Sequence, residues 1–283
     1  MGLLAFLKGQ GLTADRVLDK ALGNYELPSF SAGTLALLRL LRDPDAPTAA
    51  LARGIESNPA LLVKVLRTVN SASFGMRRQI GSAQQAAVLM GRSQLESLVV
   101  SIGVKDSLPS VPAQGFEPRR FWFAASRRAS IARGIADRLH PQTQAEAFTA
   151  GLLQDMAIPL LAAARPKEYC RLLTHWHATP GVELDDLEDA EFGWNHGAVG
   201  ASMAERWGLP KSLCAGIDGH HIEDGDEAAP AVRLVGPLRE VDGGCVARLV
   251  ERCQASHSIK ADDVIAVVAK AEASAQELMV ALG

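Results

Sequence analysis

An all-α protein of two packed helical blocks is expected from three features of this chain. Leu, Ala and Val dominate its apolar residues, and only 5% of the 283 residues are aromatic, a balance that favours helices over sheets. Apolar residues recur three and four positions apart, behind Ser, Thr or Asn residues able to cap a helix. No strand-like alternation of apolar and polar residues runs through residues 31–102. With 48% hydrophobic residues, the chain can bury one large core or two ordinary ones.

Residues 1–25 carry Leu3, Leu4, Phe6, Leu7, Val17, Leu18 and Leu22 among polar residues, the pattern of short amphipathic helices packing on the main body or on a partner. Pro28, in Glu26-Leu-Pro-Ser-Phe-Ser31, ends that segment. Leu35, Leu38 and Leu41 then form a stripe stopped by Asp43-Pro44. Thr48 is the expected cap of a helix bearing Leu51 and Ile55. Asn58 with Pro59 opens one bearing Leu61, Leu62, Val65, Leu66 and Val69. Ser82 with Gln85, and Ser93 with Glu96, form capping boxes on either side of Gly91, so one helix should end at Gly91 and another begin. Asn70-Ser71 and Phe74-Gly75 read as a helix-ending turn, with a recognition loop as the alternative.

Residues 105–118, with Pro109, Pro112, Gly115 and Pro118, read as a linker. Phe121, Ala125, Ala129, Ala132, Ile135 and Leu139 form the next stripe. Arg119, Arg120, Arg127, Arg128 and Arg133 decorate it; their ordinary reading is a solvated face, and their alternative is a phosphate site. Thr143 and Glu146 are expected to cap the helix leading to Gln154-Asp155, a polar pair in an apolar run that must be buried and satisfied or lie at the lip of a site. Beyond Glu227, Val246, Leu249, Val250, Val264, Val267 and Val268 keep helical spacing, and Asp262-Asp263 suits a helix start.

A net charge of −3 leaves no basic excess for a polyphosphate backbone, so general nucleic-acid binding is not expected. Cys170, Cys214, Cys245 and Cys253 show no CxxC spacing and should pack as small hydrophobes in a reducing compartment. No apolar stretch is read as approaching membrane-spanning length, and Lys8 follows rather than precedes the N-terminal apolar run. A cytoplasmic protein is therefore expected. No GxSxG elbow, Walker A loop or GxGxxG turn occurs.

Several segments carry a family resemblance. Leu27-Pro28, Arg42-Asp-Pro-Asp45, Ile55-Glu-Ser-Asn-Pro-Ala60, Leu66-Arg-Thr-Val-Asn-Ser-Ala72, Phe74-Gly75 and Ala86-Ala-Val-Leu-Met-Gly91 lie in the first half. Phe121-Trp122, Glu146-Ala-Phe-Thr-Ala-Gly-Leu-Leu153, Asp155, Phe192-Gly193, His196-Gly-Ala-Val-Gly-Ala201, Trp207-Gly-Leu-Pro210 and His220-His221 lie in the second. In order and spacing they resemble the HDOD domain, the HD-related output domain of bacterial signalling proteins. The resemblance implies an N-terminal extension over residues 1–25, an N-terminal HDOD subdomain over 26–108, an HD-like helical bundle over 119–225 and a C-terminal helical segment over 226–283. Because no second signalling domain is visible, it also implies signalling partners in trans or a small nucleotide-type ligand.

Related HD phosphohydrolases hold a metal with an early His, a His-Asp pair and a later Asp. Here the early His is missing near Ala124 and Ala125, the pair is Gln154-Asp155, and the Gly-Lys that often follows is Ala157-Ile158. An amide is a poor ligand, and one carboxylate cannot hold a catalytic ion. A non-catalytic regulatory module with no cofactor is therefore the leading expectation. A divergent metal-dependent phosphohydrolase or cyclic-dinucleotide phosphodiesterase is one alternative, its metal to be rebuilt from Asp155, His196, His220 and His221. A receptor for a nucleotide messenger is the other. Gln154, Asp155, Arg127, Arg128, Trp122 and Asn70 are the expected residues of a ligand or partner groove. His175 and His177, flanking Trp176, are read as surface.

Overall fold

The computed structural model describes residues 3–4, 7, 13–76, 78–179, 181–222, 230–238 and 245–282. Side-chain caps start most helices of the first half. Helix α1 (Ala14–Leu22) begins behind Thr13, and α2 (Ala32–Arg42) behind Ser31, each hydroxyl accepting from an amide three residues on. Helix α3 (Thr48–Glu56) has no side-chain cap: Pro47 holds the cap position and Thr48 lies inside the helix, which corrects the expected Thr48 cap. Helix α4 (Pro59–Asn70) starts as its Asn-Pro pair dictates, with Asn58 Oδ1 accepting from the Leu61 amide at 3.2 Å. Helix α5 (Ala83–Ser107) starts at Ser82 and breaks at Gly91, whose φ of 72° and ψ of 172° leave the helical region. The Gln85 amide oxygen accepts from Gly81 N rather than closing its box on Ser82.

The expected linker is shorter than its Pro and Gly residues suggested, because α5 continues to Ser107 and α6 (Pro118–Leu139) opens on Pro118. The Glu117 carboxylate caps the Arg119 and Arg120 amides. After a 3-10 turn (Pro141–Thr143) come α7 (Gln144–Leu153), α8 (Ala157–Ala164), α9 (Glu168–Ala178), α10 (Leu184–Phe192), α11 (His196–Arg206) and α12 (Lys211–Asp218). The chain continues with α13 (Pro230–Val235), α14 (Cys245–His257) and α15 (Ala261–Ala281). Thr143 does not cap α7; its hydroxyl donates back to the His140 carbonyl at 2.9 Å. Among the described residues no strand is present beyond one isolated Ala113–Phe116 bridge.

One apolar core runs from Leu4 to Leu282 and takes in most of the residues of the stripes read from the sequence, although Leu35 is exposed. Helices α6 and α7 pack together at its centre, with α5 on α7, and α13 and α15 on α6. Gly134 sets the approach of α15: a Cβ there would stand 2.7 Å from Val267 Cγ1. The described residues of the N-terminal segment pack in cis, while Phe6 lies outside them. Leu4 is buried, its amide donates to Asp218 Oδ1 at 2.8 Å, and α1 lies on α11. The four cysteines are buried and unbridged, while His175 and His177 are exposed. The reading that no stretch approaches spanning length is corrected. Two segments, Ala83–Ser107 and Pro141–Ala164, are long and apolar enough, with 56% and 83% of their apolar windows buried within the protein. Both face neighbouring helices, α5 is broken at Gly91, and the second comprises three short helical pieces.

Candidate functional site

Asp155 sits in the turn between α7 and α8, and the elements around it bring a cation and three imidazoles against it. Arg128, from the middle of α6, places Nη2 at 2.6 Å from Asp155 Oδ2 and donates through Nη1 to the Leu238 carbonyl at 3.1 Å. On the other oxygen, Oδ1, His220 Nε2 stands at 3.2 Å and His196 Nε2 at 3.6 Å. His196 Nε2 also lies 3.3 Å from His220 Nε2 and 2.9 Å from His221 Nε2. Arg128, Asp155, His196 and His220 are all buried.

Local sequence explains how His196 arrives there. Gly193, in the left-handed region with φ 72°, ends α10, and Asn195 Oδ1 caps α11 by accepting from Ala198 N at 3.0 Å. His196 is therefore the first residue of α11, and the buried carboxylate of Glu188, on α10, faces that positive helix end. Glu188 Oε2 accepts from the His196 amide at 2.7 Å and lies 2.6 Å from its Nδ1; Oε1 accepts from the buried Tyr169 hydroxyl. His220 Nδ1 is 2.6 Å from the Ile217 carbonyl, and His221 Nδ1 is 3.6 Å from Asp185 Oδ1.

These contacts fix the tautomers. A carbonyl can only accept, so His220 Nδ1 carries its proton, and Glu188 imposes the same on His196 Nδ1. The Nε2 atoms of both rings then face each other and His221. Burial opposes charge on His196, but Glu188, then Asp155 and Asp185, outweigh it and raise its pKa to about 9. The extra proton on His196 Nε2 is donated to His221, which burial and the neighbouring imidazoles His220 and His196 keep neutral by lowering its pKa well below the usual value. Burial would raise Asp155, yet Arg128 and the two histidines hold it well below the usual carboxylate range. Two cations, Arg128 and His196, thus balance two carboxylates, Asp155 and Glu188. Were His220 protonated at Nδ1 alone, its Nε2 would meet Asp155 Oδ1 acceptor to acceptor, so the hydrogen bond that helps hold Asp155 low calls for a proton on both ring nitrogens, or for a bound cation in its place.

Four of the expected site residues come together here: Asp155 with His196 and His220, and His221 at the edge. Gln154 is fully buried beside them. Its Nε2 reaches the Gly236 carbonyl at 3.5 Å, and among the described residues its Oε1 has no partner. The solvated-face reading fails for Arg127 and Arg128, both buried, because α13 and α15 cover that side of α6; Arg127 pairs with Glu272 on α15 at 2.8 Å. Trp122 is buried against Phe121, with ring centroids 5.0 Å apart. Asn70 clamps the loop after α4, donating to the Leu66 and Ile80 carbonyls and accepting from Ile80 N. Among the described residues, the contacts of Trp122 and Asn70 lie apart from the Arg128–Asp155 pair. Glu188 and Tyr169 were missed. The available signal was the four-residue spacing that puts Glu188 on the buried face of α10 with Leu184.

Gly236 closes the cluster from the α13 side, where a Cβ would run into the His220 carbonyl oxygen. Gly236→Ala should therefore displace the His220-His221 turn and lower stability by about 1–3 kcal/mol, read by urea unfolding. Unchanged stability would show that the turn has room to move.

The HDOD domain family matches residues 27–223, some two thirds of the chain and all of this cluster. This chain belongs to the HDOD family. A protein of Treponema pallidum (strain Nichols), described as uncharacterized, is 27% identical over 209 residues, which is 74% of this chain but 39% of that protein. The chain thus spans well under half the length of this relative. A crystal structure of a "putative phosphohydrolase" from Shewanella amazonensis SB2B superposes with a TM-score of 0.73 at 22% identity, covering 91% of this chain and 95% of that one. An HDOD domain protein with unknown function from Geobacter sulfurreducens superposes with a TM-score of 0.63 at 22% identity, covering 99% and 96%. At these identities the likeness is one of fold.

Whether the cluster suits a metal can be tested on its donor spacing. A tetrahedral ion with bonds near 2.0 Å separates its ligand atoms by about 3.3 Å. The three imidazole donors lie within 4.8 Å of one another, and Asp155 Oδ1 lies 3.2 Å from one of them and 3.6 Å from another. One divalent ion fits if His196 releases its Nε2 proton. Its four positions would all be filled by protein, and a bound ion supplies hydrolytic chemistry only where a position stays open to water.

Proposed function

We propose that this HDOD chain is a regulatory module of signal transduction that acts by binding, to signalling proteins in trans or to a small ligand, and does not hydrolyse phosphoesters. The observation that carries this reading is the buried Arg128–Asp155 ion pair. The one carboxylate left from the HD set spends an oxygen on a guanidinium that supplies the positive charge a metal would bring. Gln154 and a residue near Ala124 or Ala125 stand where the resemblance places the lost ligands, and of the clustered histidines His196 and His220 are buried while His221 is partly exposed.

A second reading, a divalent ion held by Asp155, His196, His220 and His221, is favoured by the convergence of three Nε2 atoms on one carboxylate oxygen. The name of the Shewanella protein is the ground for extending it to hydrolysis. Metal content by mass spectrometry, with turnover of bis-p-nitrophenyl phosphate and of cyclic dinucleotides in added Mn²⁺, tests both readings in wild type and Asp155→Ala. The expected result is no turnover above background in either protein. Stoichiometric metal without turnover would mark a closed structural site. Turnover that disappears in Asp155→Ala would overturn the non-hydrolytic reading.

A further inference from the structure

A cleft of about 470 Å³ opens between the loop after α4, helix α6 and helix α15, away from the histidine cluster. Its size is that of a small-molecule site. Three cations line it, Arg133 and Arg138 from α6 and Lys270 from α15, against one acid, Asp137. Asp137 accepts from Gln144 Nε2 at 2.6 Å, and its charge acts on Arg133 without forming an ion pair with it. Among the described residues, neither the Arg133 guanidinium nor the Lys270 ammonium makes a hydrogen bond or ion pair. Arg133 lies 4.4 Å over the Phe74 ring, which holds its planar fork in place. Arg138 spends Nη1 on its own helix, at Gly134 O, and reaches Asp263 only at 4.0 Å.

The floor supplies hydroxyls. Ser73 Oγ lies 2.9 Å from Ser130 Oγ and 2.8 Å from Ser274 Oγ, so three helical or loop segments meet there through exchangeable donors. Gly75, with φ 63°, turns the loop over the cleft, and even a methyl there would come within 3.8 Å of Lys270 Nζ. A concave site whose cations outnumber its acids, with Phe74 and Val267 as its larger apolar lining residues, suits an anion, and a planar guanidinium fork beside an ammonium matches phosphate oxygens.

We propose that this cleft binds a phosphorylated small molecule of about mononucleotide size, its phosphate held by Arg133, Arg138 and Lys270 and its hydroxyls by the Ser73–Ser130–Ser274 group. Such a ligand ties the loop of the N-terminal helices to α6 and α15 and gives the fold a place where a soluble signal alters how these elements hold together. The site shares no residue with the histidine cluster, so its failure leaves the non-hydrolytic reading standing.

Isothermal titration of the full chain with pyrophosphate, AMP and adenosine tests it. Pyrophosphate and AMP should bind, with affinity falling as salt rises, and adenosine should not. Lys270→Glu, on an exposed position of α15, should weaken both anions at least tenfold with its melting temperature preserved. Lys211→Glu, on the exposed start of α12, should leave both unchanged. No binding of either anion at millimolar concentration, equal binding by Lys270→Glu, or adenosine binding as tightly as AMP would each overturn the assignment.

Discussion

Asp155→Ala is expected to cost about 3–5 kcal/mol of folding stability, the size found when one partner of a buried ion pair is removed and the other is left uncompensated. Arg128 is the group left behind. It is 3% exposed, and among the described residues Nη2 faces only Asp155 and Nε has no hydrogen-bond partner. Leaving water costs a guanidinium far more than the single Leu238 carbonyl returns. Removing both charges should behave differently. Arg128→Met with Asp155→Leu keeps much of the volume, needs no counter-charge, and should lie within about 2 kcal/mol of wild type. A double-mutant cycle by urea unfolding, repeated after chelator treatment, isolates the pair from any bound metal. A single-mutant cost below about 1 kcal/mol would mean that water or another acid already neutralises Arg128, and would remove the main support for the non-hydrolytic reading.

The helical fold was legible because its signals are local. Asn58-Pro59, Ser82 and the break at Gly91 each determine backbone geometry within a turn of themselves, and each starts or stops a helix as expected. Thr48 and Thr143 misled for the same reason. A threonine is a competent cap, but Pro47 fixed the turn before one and a 3-10 turn absorbed the other. The cluster was half legible. Asp155, His196, His220 and His221 could be picked out by residue type, whereas Arg128 reads like any other arginine on a polar face. Only the docking of α13 and α15, far along the chain, turns that face inward. Glu188 was hidden among Asp185, Asp186 and Asp189, and its four-residue spacing from Leu184 was the one local mark that set it apart from the other acids of that run. The cleft drew on residues read as turn, solvated face and tail, and no local pattern joins Ser73 to Ser130 and Ser274.

Glu188→Gln should cost about 2 kcal/mol near pH 6, the scale of a hydrogen bond to a charged group, and much less above pH 9. The variant keeps the volume and removes the charge. With Oε1 turned to the His196 N–H groups, its amide nitrogen faces Tyr169, whose hydroxyl must reverse from donor to acceptor. The pH dependence follows from His196. Its folded pKa of about 9 lies above the ordinary 6.5, so the stabilisation it brings is complete below about pH 6.5 and disappears as pH rises through 9. Glu188 is the largest of the groups raising that pKa, so losing its charge should flatten the alkaline limb. His221 works in the opposite sense. Its folded pKa is depressed, so its contribution is present above 6.5 and lost as pH falls, and Asp155 adds a further loss below the carboxylate range. Chelator-treated wild type should therefore be most stable near pH 6.5–7, and Glu188→Gln should shift that maximum upward. Melting temperatures of the two proteins from pH 5 to 9.5 decide it. A gap between them that stays constant across the range would show that His196 is neutral throughout, leave the Nε2 atoms facing one another without a proton, and make a bound cation the remaining way to hold the cluster together.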